Sequence, residues 1–170
     1  SNADIALMPE FYREVAALIG RGHRSFVINR RTIGKGYRGV VDLPRMVADA
    51  ERGAKHPGFD CFVFHRSLLE KFLLGKTCIG ANLVGRVLVS NLIAADPSFT
   101  VVDDRALTFH LGDDRPWLGS DLSGYNAHNE NELDEVLGQQ LARGVPRAGA
   151  KTLEEYRRTT SRNRRIRSAI

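Results

Sequence analysis

Two spacings of apolar residues divide this chain. Short unbroken runs rich in β-branched and aromatic residues mark strands at Ser25-Phe26-Val27-Ile28, at Cys61-Phe62-Val63-Phe64, at Phe99-Thr100-Val101-Val102 and at 106–110. Apolar residues three or four apart mark helices. The first starts after Pro9 and runs through Ile19, with Phe11, Val15, Leu18 and Ile19 on one stripe. A second spans 43–51 with Asp42 as N-cap, and Ser67 opens a short amphipathic segment that stops at Gly75. The strongest helical pattern covers 82–95, where Leu83, Val84, Val87, Leu88, Leu92 and Ile93 recur before Asp96-Pro97 ends it. A further helix is expected over 129–142 with an acidic first turn. Strands interleaved with helices predict an α/β chain, a partial mixed sheet flanked by helices. The strands are too few for a complete doubly wound domain.

The polar punctuation between these elements carries the candidate chemistry. His56-Pro57-Gly58 reads as a sharp turn, which places Asp60 at the lip of the 61–64 strand. There Asp60 either serves a reaction or caps the turn through its own backbone. The 25–28 strand exits into Asn29-Arg30-Arg31-Thr32, where the arginine pair is a phosphate contact or a solvated strand exit. Gly34, Gly36 and Gly39 follow with neither phosphate-loop nor dinucleotide spacing, so that stretch reads as a loop. His110 ends the 106–110 strand ahead of Gly112-Asp113-Asp114. Those residues are a ligand set for a hard divalent cation, or a hydrogen-bonded histidine beside a capped turn. No order of Ser, His and Asp or of Cys and His suggests a covalent hydrolase.

Composition narrows the partners. The net charge is +5, and residues 151–170 alone supply it with seven Lys or Arg against two Glu. The preceding chain is electroneutral, which argues against a folded nucleic-acid-binding face and leaves such contacts to the basic tail. Six arginines between Arg157 and Arg167 have little apolar company, so 146–170 reads as a basic helical or disordered tail, with Thr152 and Glu155 forming a capping box. Cys61 and Cys78 are too few for a disulfide framework or a zinc site and read as buried free thiols. No run reaches membrane-spanning length, so the chain reads as soluble and cytoplasmic. Ser1-Asn2-Ala3 looks like the scar of a cleaved purification tag. Asp4 would then open an excised α/β fragment over 4–145.

Taken together, Asp4-Ile5-Ala6-Leu7, Asn29-Arg30-Arg31, the stretch from His56 to Phe64 and Thr108-Phe109-His110 resemble the C-terminal half of bacterial nucleotide-diphospho-sugar transferases of the GT-A type. The resemblance spans roughly 4–130 and lacks a clear Asp-x-Asp motif. It implies the acceptor and metal side of a glycosyltransferase, with a nucleotide-binding half upstream and an isolated fragment that is inactive. It also implies Mn²⁺ or Mg²⁺ held by Asp4, His110 and Asp113, with Asp60 as the catalytic carboxylate. Arg30, Arg31, His56 and Trp117 would bind substrate. The implied partners are a nucleotide-sugar donor and an unidentified acceptor, with homo-oligomerisation left open. On this reading Asp60→Asn lowers turnover and leaves stability almost unchanged. The competing readings are a non-catalytic interaction domain that docks through its Arg-rich tail and a metal-dependent phosphoesterase built on His110, Asp113 and Asp114.

Overall fold

Strand β2 (Ser25–Ile33) does not stop at its apolar half but continues through Asn29-Arg30-Arg31-Thr32 to Ile33. It can do so because both edges are paired. On one side it runs antiparallel to β3 (Ala54–Phe64). On the other it runs parallel to β4 (Thr100–Val102) and, further along, to β5 (Thr108–Leu111). Strand β1 (Ala6–Leu7) closes the order β1-β5-β2-β3 by pairing antiparallel with β5. This is an α/β fold with a mixed open sheet flanked by helices.

The computed structural model describes residues 5–37, 41–112, 120–145 and 152–159, which divide into two compact units. The first holds the described residues up to His65 together with 99–112; the second holds 66–98, 120–145 and 152–159.

In the first unit a helix covers each face of the sheet. Helix α1 (Phe11–Gly20) inserts Phe11 and Leu18 among Phe26, Ile28, Cys61, Val102 and Leu107. Helix α2 (Leu43–Arg52) sets Ala50, Met46 and Val47 against Ile33, Phe109 and Met8 on the other face. The strand pleat dictates that division, since residues 26 and 28 and residue 33 differ in parity. Asp42 caps α2 as expected, its Oδ1 accepting from Arg45 N at 3.2 Å. Burial pushes the Cys61 thiol up, so it packs as an inert apolar group.

The second unit is helical. The segment expected to form an amphipathic helix after Ser67 is a 3₁₀ turn, Arg66–Lys71, with Leu68 buried. The chain leaves it because buried Asn91 captures Leu73: Asn91 Oδ1 accepts from Leu73 N at 2.5 Å and Nδ2 donates to Leu73 O at 2.8 Å. Asn91 lies on α3 (Val84–Ala95), which packs against α4 (Ser123–Ala142). Helix α4 begins six residues ahead of the expected Asn129, because its added first turns are polar and answer to a loop rather than to the core. The segment 152–159 is helical (α5) and buries Leu153 fully, so the beginning of the basic tail belongs to the fold.

Tyr156 of α5 donates to Arg86 O at 3.4 Å, and burial foremost raises its phenol to about 12 from an ordinary 10.0. The folded state therefore holds the neutral phenol to higher pH than the unfolded chain does. That contribution is complete below about pH 10 and is lost as pH climbs toward 12. Urea unfolding of the wild type and of Tyr156→Phe at stepped pH should give stabilities that differ little at pH 8 and diverge above pH 10, the wild type losing stability relative to Tyr156→Phe. Identical pH dependence in the two proteins would show that Tyr156 does not titrate with folding.

Candidate functional site

The described candidate residues converge on the second half of β2. The parallel register pairs Arg31 with Phe109 and Thr32 with His110, so Thr32 and His110 share one face and Arg31 and Phe109 the other. Arg30 has the parity of Thr32. It continues the buried row Phe26 and Ile28, at the end of the apolar cluster beneath α1.

Asp60 is drawn into this row by an irregularity in β3. Ile28 pairs with Cys61 and Asn29 with Phe59, so Asp60 is the extra residue of a bulge. Its Oδ2 lies 2.7 Å from Arg30 Nη1, with the two side chains only 3% (Arg30) and 15% (Asp60) exposed. Asp60 thus sits inside a strand rather than at its lip. The Pro-Gly signal that suggested a turn is absorbed as a second bulge, where Arg31 pairs with Lys55. Strand β3 lies at the sheet edge, so Pro57, which has no N–H to give, is tolerated there.

His56 closes that second bulge. Its Nδ1 accepts from Gly58 N at 2.9 Å, and a Cβ on residue 58 would lie 2.9 Å from the ring, which is why glycine stands there. Asn29 Nδ2 donates to His56 O and, at 3.2 Å, to Gly58 O, tying the bulge to β2. Arg31 lies on the face opposite Arg30, so the two arginines do not form one clamp.

His110, 9% exposed, is held by Nδ1 at 2.7 Å from Gly112 O. A carbonyl can only accept, so Nδ1 is the donor in this contact. The register Ala6↔Phe109, carried one residue further, brings Ile5 alongside His110. Asp4 is the next residue in sequence. It lies outside the described residues, as do Asp113, Asp114 and Trp117. Among the described residues no group of three His, Cys, Asp or Glu side chains could hold a metal ion. His110 fits as a single nitrogen donor.

The chain matches no protein-family model, no curated protein and no solved structure. The site therefore stands on its own geometry.

Two residues escaped notice in the sequence. Thr108 is fully buried on the face of Arg30 and His110, and its Oγ1 has no hydrogen-bond partner among the described residues; the same holds for Asn29 Oδ1. A buried hydroxyl or amide oxygen normally finds a partner; by strand parity Thr108 lies on the face of Arg30 and His110, and Asn29 on that of Arg31. The available signal was a polar quartet, Asn29 to Thr32, directly following four strand-forming residues. Among the described residues no helix is long and apolar enough to cross a membrane.

Proposed function

We propose that this chain forms the acceptor and metal side of a nucleotide-sugar-dependent sugar transferase. The observation that supports the reading is the Arg30–Asp60 pair at 2.7 Å, buried on the sheet face that also carries Thr108 and His110. Apolar residues would hold two strands together at less desolvation cost, so a buried charged pair at this position is better explained by its chemistry. Asp60 on β3 and His110 on β5 flank β2, with about 10 Å between their strands.

In this mechanism Asp60 accepts the proton of the acceptor hydroxyl as its oxygen bonds the anomeric carbon and the bond to the diphosphate breaks. Arg30 fixes the orientation of the Asp60 carboxylate. His110, with Asp4 and Asp113, would hold Mn²⁺ or Mg²⁺, which neutralises the leaving diphosphate when bound.

The test is release of nucleoside diphosphate from a panel of nucleotide sugars by the full-length protein that carries this chain. Release should require Mn²⁺ or Mg²⁺. Asp60→Asn should lower kcat about 10²–10⁴-fold per folded molecule, and His110→Ala should raise the metal concentration needed for half-maximal rate. A folded Asp60→Asn protein with full kcat would remove Asp60 from the chemistry. The phosphoesterase alternative rests on His110, Asp113 and Asp114, and phosphate-ester hydrolysis in the same assay would select it.

A further inference from the structure

The second unit has an open, shallow depression of about 390 Å³ lined, among the described residues, by Cys78, Asp121, Gly124, Tyr125 and His128. Cys78 belongs to the loop 76–83, and that loop is fastened to α4 along its length. Lys76 N donates to Glu132 Oε2 at 2.6 Å, and His128 Nε2 donates to Lys76 O at 2.8 Å. Asn129 Oδ1 accepts from Cys78 N at 2.8 Å while its Nδ2 donates to Cys78 O at 2.9 Å and Asn82 O at 2.8 Å. Asn126 Oδ1 accepts from Asn82 N at 2.8 Å. The loop leaves into α3 through Leu83 at φ 73°, a left-handed conformation that a leucine adopts only under constraint. A fully buried asparagine and a strained leucine are a large outlay for a surface loop. They fix the position of Cys78 at the depression.

The lining selects a ligand. Tyr125 is 56% exposed and offers a ring face at the depression. His128 Nε2–H is spent on a carbonyl, which leaves Nδ1 as the ring nitrogen that can meet a ligand. Asp121 adds a carboxylate, and no atom lies within 4 Å of a Cβ built on Gly124, so a ring can approach the helix backbone there. Among the described residues the lining contains acceptors and one anion but no cation. The beginning of α4 would ordinarily draw a phosphate, but the Asp121 carboxylate already stands at that end. A nucleotide is therefore disfavoured. A neutral ligand with several hydroxyl donors and one apolar face is favoured.

We infer that this depression binds a sugar ring, stacked on Tyr125 with its hydroxyls donating to Asp121 and His128. Naming that sugar the acceptor rests on the transferase reading; the binding itself does not.

Saturation-transfer NMR on the 170-residue chain, with the methyl β-glycosides of glucose, galactose and N-acetylglucosamine as probes, tests it directly. At least one glycoside should receive saturation at its ring protons. Tyr125→Ala and Asp121→Asn should each weaken that binding roughly tenfold, the worth of one good contact. Both side chains are exposed, so the variants should keep the wild-type circular dichroism. Tyr12→Ala, which alters an exposed tyrosine of the first unit, should change nothing. Bound glycoside should also slow alkylation of half-exposed Cys78. No saturation of any glycoside, binding unchanged in both variants, or displacement by a nucleoside diphosphate would each overturn the proposal. Glycoside binding in a protein without transferase activity would sink the transferase reading and leave this site standing. Transferase activity whose acceptor KM ignores Tyr125 and Asp121 would show that the sugar bound here is not the acceptor, and loss of glycoside binding alone would sink the site while leaving the transferase reading standing.

Discussion

Arg30→Ala is expected to lower folding stability by about 3–5 kcal/mol, because it strands the Asp60 carboxylate in a largely dry strand interior. That is a large share of what a domain ordinarily has in reserve. The pair lies 2.7 Å apart, and the 3% and 15% side-chain exposures leave little water to screen it. The same geometry revises the expectation for Asp60→Asn. The sequence alone suggested a change in turnover at nearly constant stability, because a base is lost but not a packing group. Inside the bulge, Asp60→Asn instead removes a counter-charge from buried Arg30, so the midpoint of urea unfolding should fall as well. Arg30→Met combined with Asp60→Leu should recover most of the loss, since an apolar pair needs no desolvation. That double variant is also informative about function. If it folds like wild type and releases no nucleoside diphosphate, the charges are kept for chemistry rather than for the fold. Single variants that each cost under about 1 kcal/mol would mean the bridge behaves like an exposed one, and the buried-charge account would fail.

How far the sequence foretold this arrangement depends on the range of each interaction. The Asp42 cap and most of the apolar stripe of α1 (Phe11, Val15 and Leu18, with Ile19 left exposed) were readable because cap and stripe both act within a few residues. So was the end of β5 at His110-Leu111. The polar half of β2 was not, because Arg30 is acceptable in a strand only when Asp60 reaches it from a bulge thirty positions along. Local composition there said strand exit, and tertiary pairing overrode it. The His56-Pro57-Gly58 signal was real in chemistry, yet an edge strand accommodated it as a bulge instead of a reversal. Glycine spacing 75–80 and the polar start of α4 carried no periodicity at all. Their meaning lies in hydrogen bonds between residues about fifty apart, such as Asn129 with Cys78, which no local pattern records.

That last contact should be among the most sensitive in the second unit. Asn129 is fully buried and uses its amide completely, accepting from Cys78 N and donating to Cys78 O and Asn82 O. Asn129→Ala deletes all three bonds and leaves one amide and two carbonyls of the loop in search of partners. A net hydrogen bond is worth about 1 kcal/mol, and a buried group left unsatisfied costs about 1–3 kcal/mol. Water entering the vacated space would relieve part of this, so a loss of about 3–4 kcal/mol is expected. Asn129→Asp keeps the shape but turns a donor toward two carbonyls into an acceptor, so it should be no better. Glu132→Gln is the contrasting case. It reaches Lys76 N from an exposed position next to Gly75, whose φ of 57° lets the chain turn there. Its cost should stay near 0.5 kcal/mol. Amide exchange gives the decisive readout: in Asn129→Ala the Cys78 and Asn82 amides should lose protection well before the α3 core amides do. If loop and core lose protection together, the loop is not a separately fastened wall. If neither changes, Asn129 does not hold it.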